Sequence, residues 1–265
     1  MSTTRPPGWV ADLPLRIAVG LVLIALALGA LALGGAAFWV LVCVASILMM
    51  GEWAGLAGVG EKHKRIGMYA LCVPLAILAP DPIAAGPGFL VIGLIAGTAF
   101  FVAAATRNGR MGLGVVYVAV PALALVFLRD RPDGMMLALW ALATVWATDI
   151  GAYFAGRLIG GPKLAPAVSP NKTWAGLIGG MAAALALGLI FHQGWGLALP
   201  LALASPVLAV IAQLGDLYES ALKRRAGVKD SGTLLPGHGG VLDRLDGVVT
   251  AAPCAALLLI LLGVA

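Results

Sequence analysis

"VKDSGTLLPGHGGVLDRLDGVVTAAPCAALLLILLGVA", residues 228–265, changes character at Gly247. The first twenty residues hold two Lys/Arg, three Asp, a His and several glycines. The run that follows, 248–265, carries no charge at all. Crossing the hydrocarbon core of a bilayer takes roughly 20 apolar residues. The second half therefore reads as a membrane span, and the first half as something polar held at its mouth.

The rest of the chain repeats the apolar pattern. Of its 265 residues 61% are hydrophobic and only 11% charged, with a mean hydropathy of +1.01. Nine spans can be marked, at about 17–34, 36–51, 66–80, 88–105, 112–128, 135–156, 174–192, 195–214 and 248–265. The third and fifth are short and interrupted by Pro74 and Pro121, which leaves eight spans as the alternative. The period-two alternation of a membrane barrel is absent. The expected fold is all-α: a polytopic integral membrane protein, one domain over 1–265, with a polar site at the cytoplasmic face.

The N-terminal stretch, with Arg5 and Arg16 before an apolar run ending in "GGAA", superficially suits a cleaved signal. A second apolar run follows almost at once, so a retained first span is expected. Cys43, Cys72 and Cys254 fall in apolar spans with no metal-ligand or disulfide spacing, and read as small filler. The charges choose an orientation. Nine spans put 15 of the 17 Lys/Arg on one side, with the N-terminus and the segments near 52–65, 106–111, 157–173 and 215–247, and leave the other side Arg129 and Arg131. The positive-inside rule makes the rich side cytoplasmic and the C-terminus external. Topology and attraction to anionic lipid explain "EKHKR" at 61–65. They do not explain acids and glycines.

Two cytoplasmic segments are long enough to build a site, 148–176 and 213–247. Asp149 sits in an otherwise uncharged span, where an ionisable group by default faces a polar cavity; the alternative is an interfacial Asp reaching headgroup water. Helical spacing lines up Gln213, Asp216, Ser220 and Lys223 on one stripe. Asp243 and Asp246, three apart, would share a face at the start of the last span. Carboxylates gathered at a membrane interface repel unless a cation lies between them, and hard oxygen ligands favour Mg²⁺. The competing reading is plain salt bridging among Asp216, Asp243, Lys223 and Arg244. "PGHGG" offers backbone N–H groups free of side chains, suited to phosphate oxygens. Lys223, Arg224, Lys229 and Arg244 could neutralise the same phosphates. His238 is a phosphate donor, a general acid or a loop hydrogen-bonder. Neither GxxxxGK[ST] nor GxGxxG is present.

At these residues the chain resembles a known family. "SALKRRAGVKDSGTLLPGHGGVLDRLD", Ser220–Asp246, is similar to the signature of phosphatidate cytidylyltransferases, also called CDP-diacylglycerol synthases. "DIGAYFAGRLIGGPKLAPAVSPNKTWAGLIGG", with its Ser-Pro-x-Lys-Thr element, resembles the family's second stretch. The resemblance implies transfer of a cytidylyl group from CTP to phosphatidic acid, giving CDP-diacylglycerol and pyrophosphate for phospholipid biosynthesis. It implies Mg²⁺, with Mn²⁺ as a substitute, held by Asp216 and Asp243. It further implies a homodimer in the bacterial cytoplasmic membrane, among membrane lipid and with no nucleic acid partner. Asp216, Lys223, Asp243 and His238 become the expected catalytic residues. Asp149, Ser169, Lys172, Thr173, Ser220, Arg224, Lys229, Asp230, Gly239, Gly240, Arg244 and Asp246 become the expected substrate contacts. Two positions depart from the family pattern: Ala175 stands where it usually has Glu, and Gly247 where it tends to have Ser.

Other functions fit less well. A CTP-dependent lipid kinase would share nucleotide and metal but leave CDP. The DGxxAR…G…D…D run of CDP-alcohol phosphotransferases is missing. A secondary transporter would carry its ionisable groups near the midplane on broken helices, whereas these acids gather at the span ends. A scaffold has no use for HGG combined with DRLD.

Overall fold

A computed structural model describes residues 13–235 and 237–263. The expectations for the segment around Arg5, and for the last two residues of the final span, lie outside the described residues. Among the described residues nine helices follow one another: α1 (Leu13–Leu33), α2 (Gly35–Leu56), α3 (Glu61–Ile77), α4 (Phe89–Thr106), α5 (Gly109–Arg129), α6 (Gly134–Leu158), α7 (Trp174–Trp195), α8 (Leu199–Arg225) and α9 (Leu242–Leu261). Seven of them, α2 and α4 to α9, are long and apolar enough to cross a membrane. The apolar part of α1, Ile17–Leu33, is a little shorter.

Two expectations need correction, and one feature adds to the all-α reading. The third span, placed at 66–80, is a helix over Glu61–Ile77, so "EKHKR" is its first turns and not a loop. Pro74 and Pro121 do not break their helices, and Pro206 and Pro253 also lie inside helices. Proline is tolerated there because neighbouring helices re-satisfy the freed backbone groups. Finally, the all-α framework carries a small hairpin between α6 and α7. Strand β1 (Lys163–Ala165) pairs antiparallel with β2 (Ser169–Thr173), in the register Lys163↔Thr173 and Ala165↔Ser169. A segment too rich in Gly and Pro to continue the helix satisfies its backbone by pairing with itself.

Small residues set how closely the helices approach. Lipid tails are as apolar as leucine, so helices in a membrane associate through tight packing, which glycine permits. A Cβ on Gly151 of α6 would come within 2.6 Å of Ala183 Cβ and of Gly179 O on α7. A Cβ on Gly215 of α8 would lie 2.6 Å from Asp246 O and 2.3 Å from Thr250 Oγ1 on α9. Tryptophans tie the bundle laterally: Trp140 Nε1 donates to Ser205 Oγ at 3.0 Å, and Trp53 Nε1 to Arg110 O at 2.8 Å. Large side chains of the outer faces, such as Phe89, Phe100 and Leu203, stay exposed, as suits a surface solvated by lipid.

The bundle has two chemically distinct ends. At one, Arg129 on α5 donates through Nε to Leu31 O at the end of α1, 2.8 Å away. At the other, the end of α2 meets the start of α9, where Glu52 accepts from Leu242 N at 2.7 Å. The hairpin, the end of α8 and the start of α9 gather at this second end.

Candidate active site

The polar site grows out of α8, which runs past its apolar stretch to Arg225. The segment expected as a loop over 213–247 is therefore helical at both ends, and only 226–241 connects α8 to α9. The predicted stripe is real: Ser220 Oγ donates to Asp216 Oδ1 at 3.4 Å, one turn away. Lys223 lies between two acids, 3.3 Å from Glu219 Oε1 and 2.7 Å from Asp243 Oδ1.

Asp243 organises the connecting loop. Its Oδ2 accepts from Ser231 N at 2.9 Å, Ser231 Oγ at 3.0 Å and Gly240 N at 2.8 Å. Gly239 has φ +81°, and a Cβ on it would sit 2.7 Å from that same oxygen. A side chain would thus be excluded by backbone conformation and by space together. The N–H of Gly240, read from sequence as a phosphate donor, is given to Asp243. Among the described residues Arg244 takes no part in the salt bridging that the competing reading offered. Its guanidinium donates to His238 O from Nε (2.9 Å) and Nη2 (2.6 Å) rather than pairing with an acid. The His238 ring lies over α1, where a Cβ on Gly20 would be 3.5 Å from Nε2. Lys229, Asp230, His238, Gly239 and Arg244 line an open cleft of about 350 Å³ above this loop.

The second segment arrives through the hairpin. Thr173 is buried and caps α7, its Oγ1 accepting from Gly176 N at 3.0 Å. Its neighbour Lys172 forms an ion pair with Asp216 Oδ2. Asp149, exposed on α6, has Asp216, Asp246 and Lys172 as electrostatic neighbours. Asp246 faces Asp216 and the carboxyl of Glu219, and its Oδ1 accepts from Gly247 N at 2.8 Å. Asp243 and Asp246 are thus spent on different partners despite their common helix. Ser169 is half-buried opposite Ala165 in the hairpin, and Arg224 is exposed in the last turn of α8.

Two acids in the site were not singled out from sequence. Glu219 is wholly buried, with Lys223 Nζ 3.3 Å from its Oε1 and the carboxyl of Asp246 beside it. Its spacing four residues before Lys223 was a legible signal. Glu52, on α2, accepts from Val241 N (2.8 Å), Leu242 N (2.7 Å) and Ser231 Oγ (3.1 Å). "GEW" at 51–53 has no local pattern that announces this.

One departure from the resembled pattern has a physical account. Gly247 is buried, and a Cβ there would lie 2.8 Å from Val145 Cγ1 on α6, so glycine lets α9 approach α6 closely. Nothing in the structure explains Ala175.

The chain matches the cytidylyltransferase family over residues 14–262. It is 42% identical over 254 residues to the phosphatidate cytidylyltransferase of Brucella suis, covering 92% of each chain. The phosphatidate cytidylyltransferase of Pseudomonas aeruginosa is 40% identical over 263 residues, 92% of this chain and 96% of its own. That of Staphylococcus haemolyticus is 44% identical over 151 residues, 56% of this chain and 57% of its own.

Proposed function

The chain belongs to the cytidylyltransferase family, and we propose that it transfers a cytidylyl group from CTP to phosphatidate at the charged end of the bundle. The products are CDP-diacylglycerol and pyrophosphate. One observation carries the placement: the Lys172–Asp216 ion pair joins the hairpin to the α8–α9 cluster, so both motif segments serve one site.

The reaction brings two anions together. A phosphate monoester carries about −1.5 to −2 charge near neutral pH. Its oxygen attacks the α-phosphorus of CTP, the bond from that phosphorus to the bridging oxygen breaks, and pyrophosphate leaves. The nucleophile is already an oxyanion, so no strong base is required. The work is positioning and charge neutralisation. Lys172 and Lys223 sit at the centre, held by Asp216 and Asp243. Lys229 and Arg244 stand on the cleft, and the exposed Arg224 on α8 close by in sequence, as cations for the nucleotide's phosphates. In this reading Ser169, Ser220 and the His238 ring donate hydrogen bonds to phosphate. Thr173, Gly239, Gly240 and Asp230 shape the backbone around them, and Asp149 and Asp246 border the lipid phosphate.

The donor set fits Mg²⁺. Asp149, Asp216 and Asp246 are electrostatic neighbours, and the buried Glu219 lies beside Asp246 with Lys223 as its cation, so acids outnumber the lysines that face them. No three His, Cys, Asp or Glu among the described residues could enclose a metal by themselves. The ion would then take one or two carboxylates, Asp216 by this crowding and Asp243 by the family resemblance alone, since Asp243 is already held by Lys223, Ser231 and Gly240; water and substrate phosphate would complete its shell. Bound there it would supply positive charge against the developing phosphate charge. Asp216 and Asp243 each hold a lysine as well, so the cluster can exchange one cation for another without leaving an acid bare.

The charged end would face the cytoplasm, where CTP is made, by the positive-inside rule. The bacterial organisms of the related enzymes support a bacterial cytoplasmic membrane. A homodimer belongs to the same family reading. The test is detergent-solubilised protein with phosphatidic acid and CTP labelled at the α- or γ-phosphate. α-Label should enter the lipid and γ-label should leave in pyrophosphate. γ-Label in the lipid would make the enzyme a kinase.

A further inference from the structure

Among the carboxylates at the charged end, Glu52 stands apart. It comes from α2, far in sequence from both motif segments, and among the described residues its hydrogen-bond partners are loop and helix-start donors. Oε1 accepts from Val241 N at 2.8 Å, and Oε2 accepts from Leu242 N at 2.7 Å and Ser231 Oγ at 3.1 Å. The two amides belong to the start of α9, where a carboxylate is favoured by the unpaired N–H groups and the helix dipole. Glycines permit the approach: a Cβ on Gly240 would lie 2.6 Å from Glu52 Cδ, and one on Gly232 would lie 2.9 Å from Oε1. Next to it, Trp53 is buried against Gly114 and donates to Arg110 O at 2.8 Å, which fixes the end of α2 against α5.

Ser231 ties this acid to the site. Its hydroxyl lies 3.1 Å from Glu52 Oε2 and 3.0 Å from Asp243 Oδ2, and its single proton can serve one of them at a time. Its N–H goes to Asp243. Ser231 and Gly240 are therefore held by Asp243 from the first turn of α9, and Ser231, Val241 and Leu242 by Glu52 from a separate helix.

We propose that Glu52 is a positioning residue for cytidylyl transfer, holding residues 231–242 so that Asp243 and the cleft-lining loop stand ready for the nucleotide. This rests on the function proposed above. Glu52 itself touches loop donors and acts through them. Its carboxylate does what a glutamine cannot, since an amide has one accepting oxygen and its NH₂ would face a donor.

The test uses full-length protein in detergent with phosphatidic acid, comparing wild type, Glu52→Gln, Ser231→Ala and the control Glu61→Gln. Glu61 is an exposed acid paired with Lys64 on α3. Glu52→Gln should lose at least tenfold in kcat/KM for CTP, with KM for CTP raised and KM for phosphatidate unchanged. Amide exchange should quicken within 228–242 and not elsewhere. Ser231→Ala should show the same pattern more weakly, and Glu61→Gln should match wild type. A merely structural role would lower kcat by the folded fraction, leave both KM values alone and quicken exchange throughout; that pattern overturns the proposal, as do wild-type kinetics in Glu52→Gln. If Glu52→Gln fails to insert, wild-type kinetics in Ser231→Ala overturn it. Wild-type protein that moves no α-label into lipid would instead refute the proposed function, a separate outcome.

Discussion

Lys223, near the end of α8, and Asp243, in the first turn of α9, meet at 2.7 Å with side chains only 14% and 6% exposed. Lys223 also faces the wholly buried Glu219 at 3.3 Å. Removing one partner of a buried ion pair strands the other and costs about 3–5 kcal/mol. Lys223→Met strands two acids and Asp243→Asn strands one cation that still has Glu219. Thermal unfolding in detergent should therefore rank Lys223→Met as the less stable of the two. Equal midpoints would mean that Glu219 does not depend on Lys223.

Asp216→Asn should reduce turnover at least about a hundredfold, because losing a metal's charge stabilisation is worth several kcal/mol and each ~1.4 kcal/mol is tenfold. Excess Mg²⁺ should restore little. Adding Asp243→Asn should make matters scarcely worse, since residues acting as a unit are non-additive. Asp230→Asn, at an exposed position on the cleft, should do less damage. Near wild-type turnover by folded Asp216→Asn protein would remove the metal assignment.

Two glycines should respond differently to added bulk. At Gly215 a Cβ would press on the backbone oxygen of Asp246, 2.6 Å away, which cannot move without α9. At Gly247 it would press on a methyl of Val145, which can turn aside. Overpacking typically costs about 1–3 kcal/mol. Gly215→Ala should fall at or above the upper end of that range and lower activity, because it pushes Asp246 away from Glu219. Gly247→Ser should lie near the lower end. The reverse order of unfolding midpoints would contradict the helix packing.

Orientation can be read by labelling in a background without the three native cysteines. Thr233 is exposed on the cleft and suits the purpose, whereas a side chain at Gly232 would collide with Glu52. In intact cells a reagent that cannot cross the membrane should miss Thr233→Cys and reach Pro132→Cys, between α5 and α6 at the other end. Labelling of Thr233→Cys without permeabilisation would invert the topology.

Much of this protein was legible in the chain. Apolar runs of span length fixed a helical membrane protein, because a bilayer leaves no other way to satisfy the backbone of so many consecutive apolar residues. Gln213, Asp216, Ser220 and Lys223 lined up by helical period alone, and the Ser220–Asp216 hydrogen bond follows from that spacing. The Ser220–Asp246 motif also announced the charge that the structure gathers at one end of the bundle.

What the tertiary structure decided is which group serves which. Sequence put Asp243 and Asp246 on one face of one helix; packing against α8 turned Asp243 to Lys223 and the loop, and Asp246 to Glu219 and Asp216. Arg244 had acids nearby in sequence and took the carbonyl of His238. Glu52 had no local sign of its role, because its partners are Ser231, Val241 and Leu242 on the far side of the sequence. Helical period and hydropathy act over a few residues and can be read along the chain. A carboxylate's partners depend on how closely α2, α6, α8 and α9 approach, and at Gly151, Gly215 and Gly247 that closeness rests on single missing side chains whose effect appears only once the helices are packed.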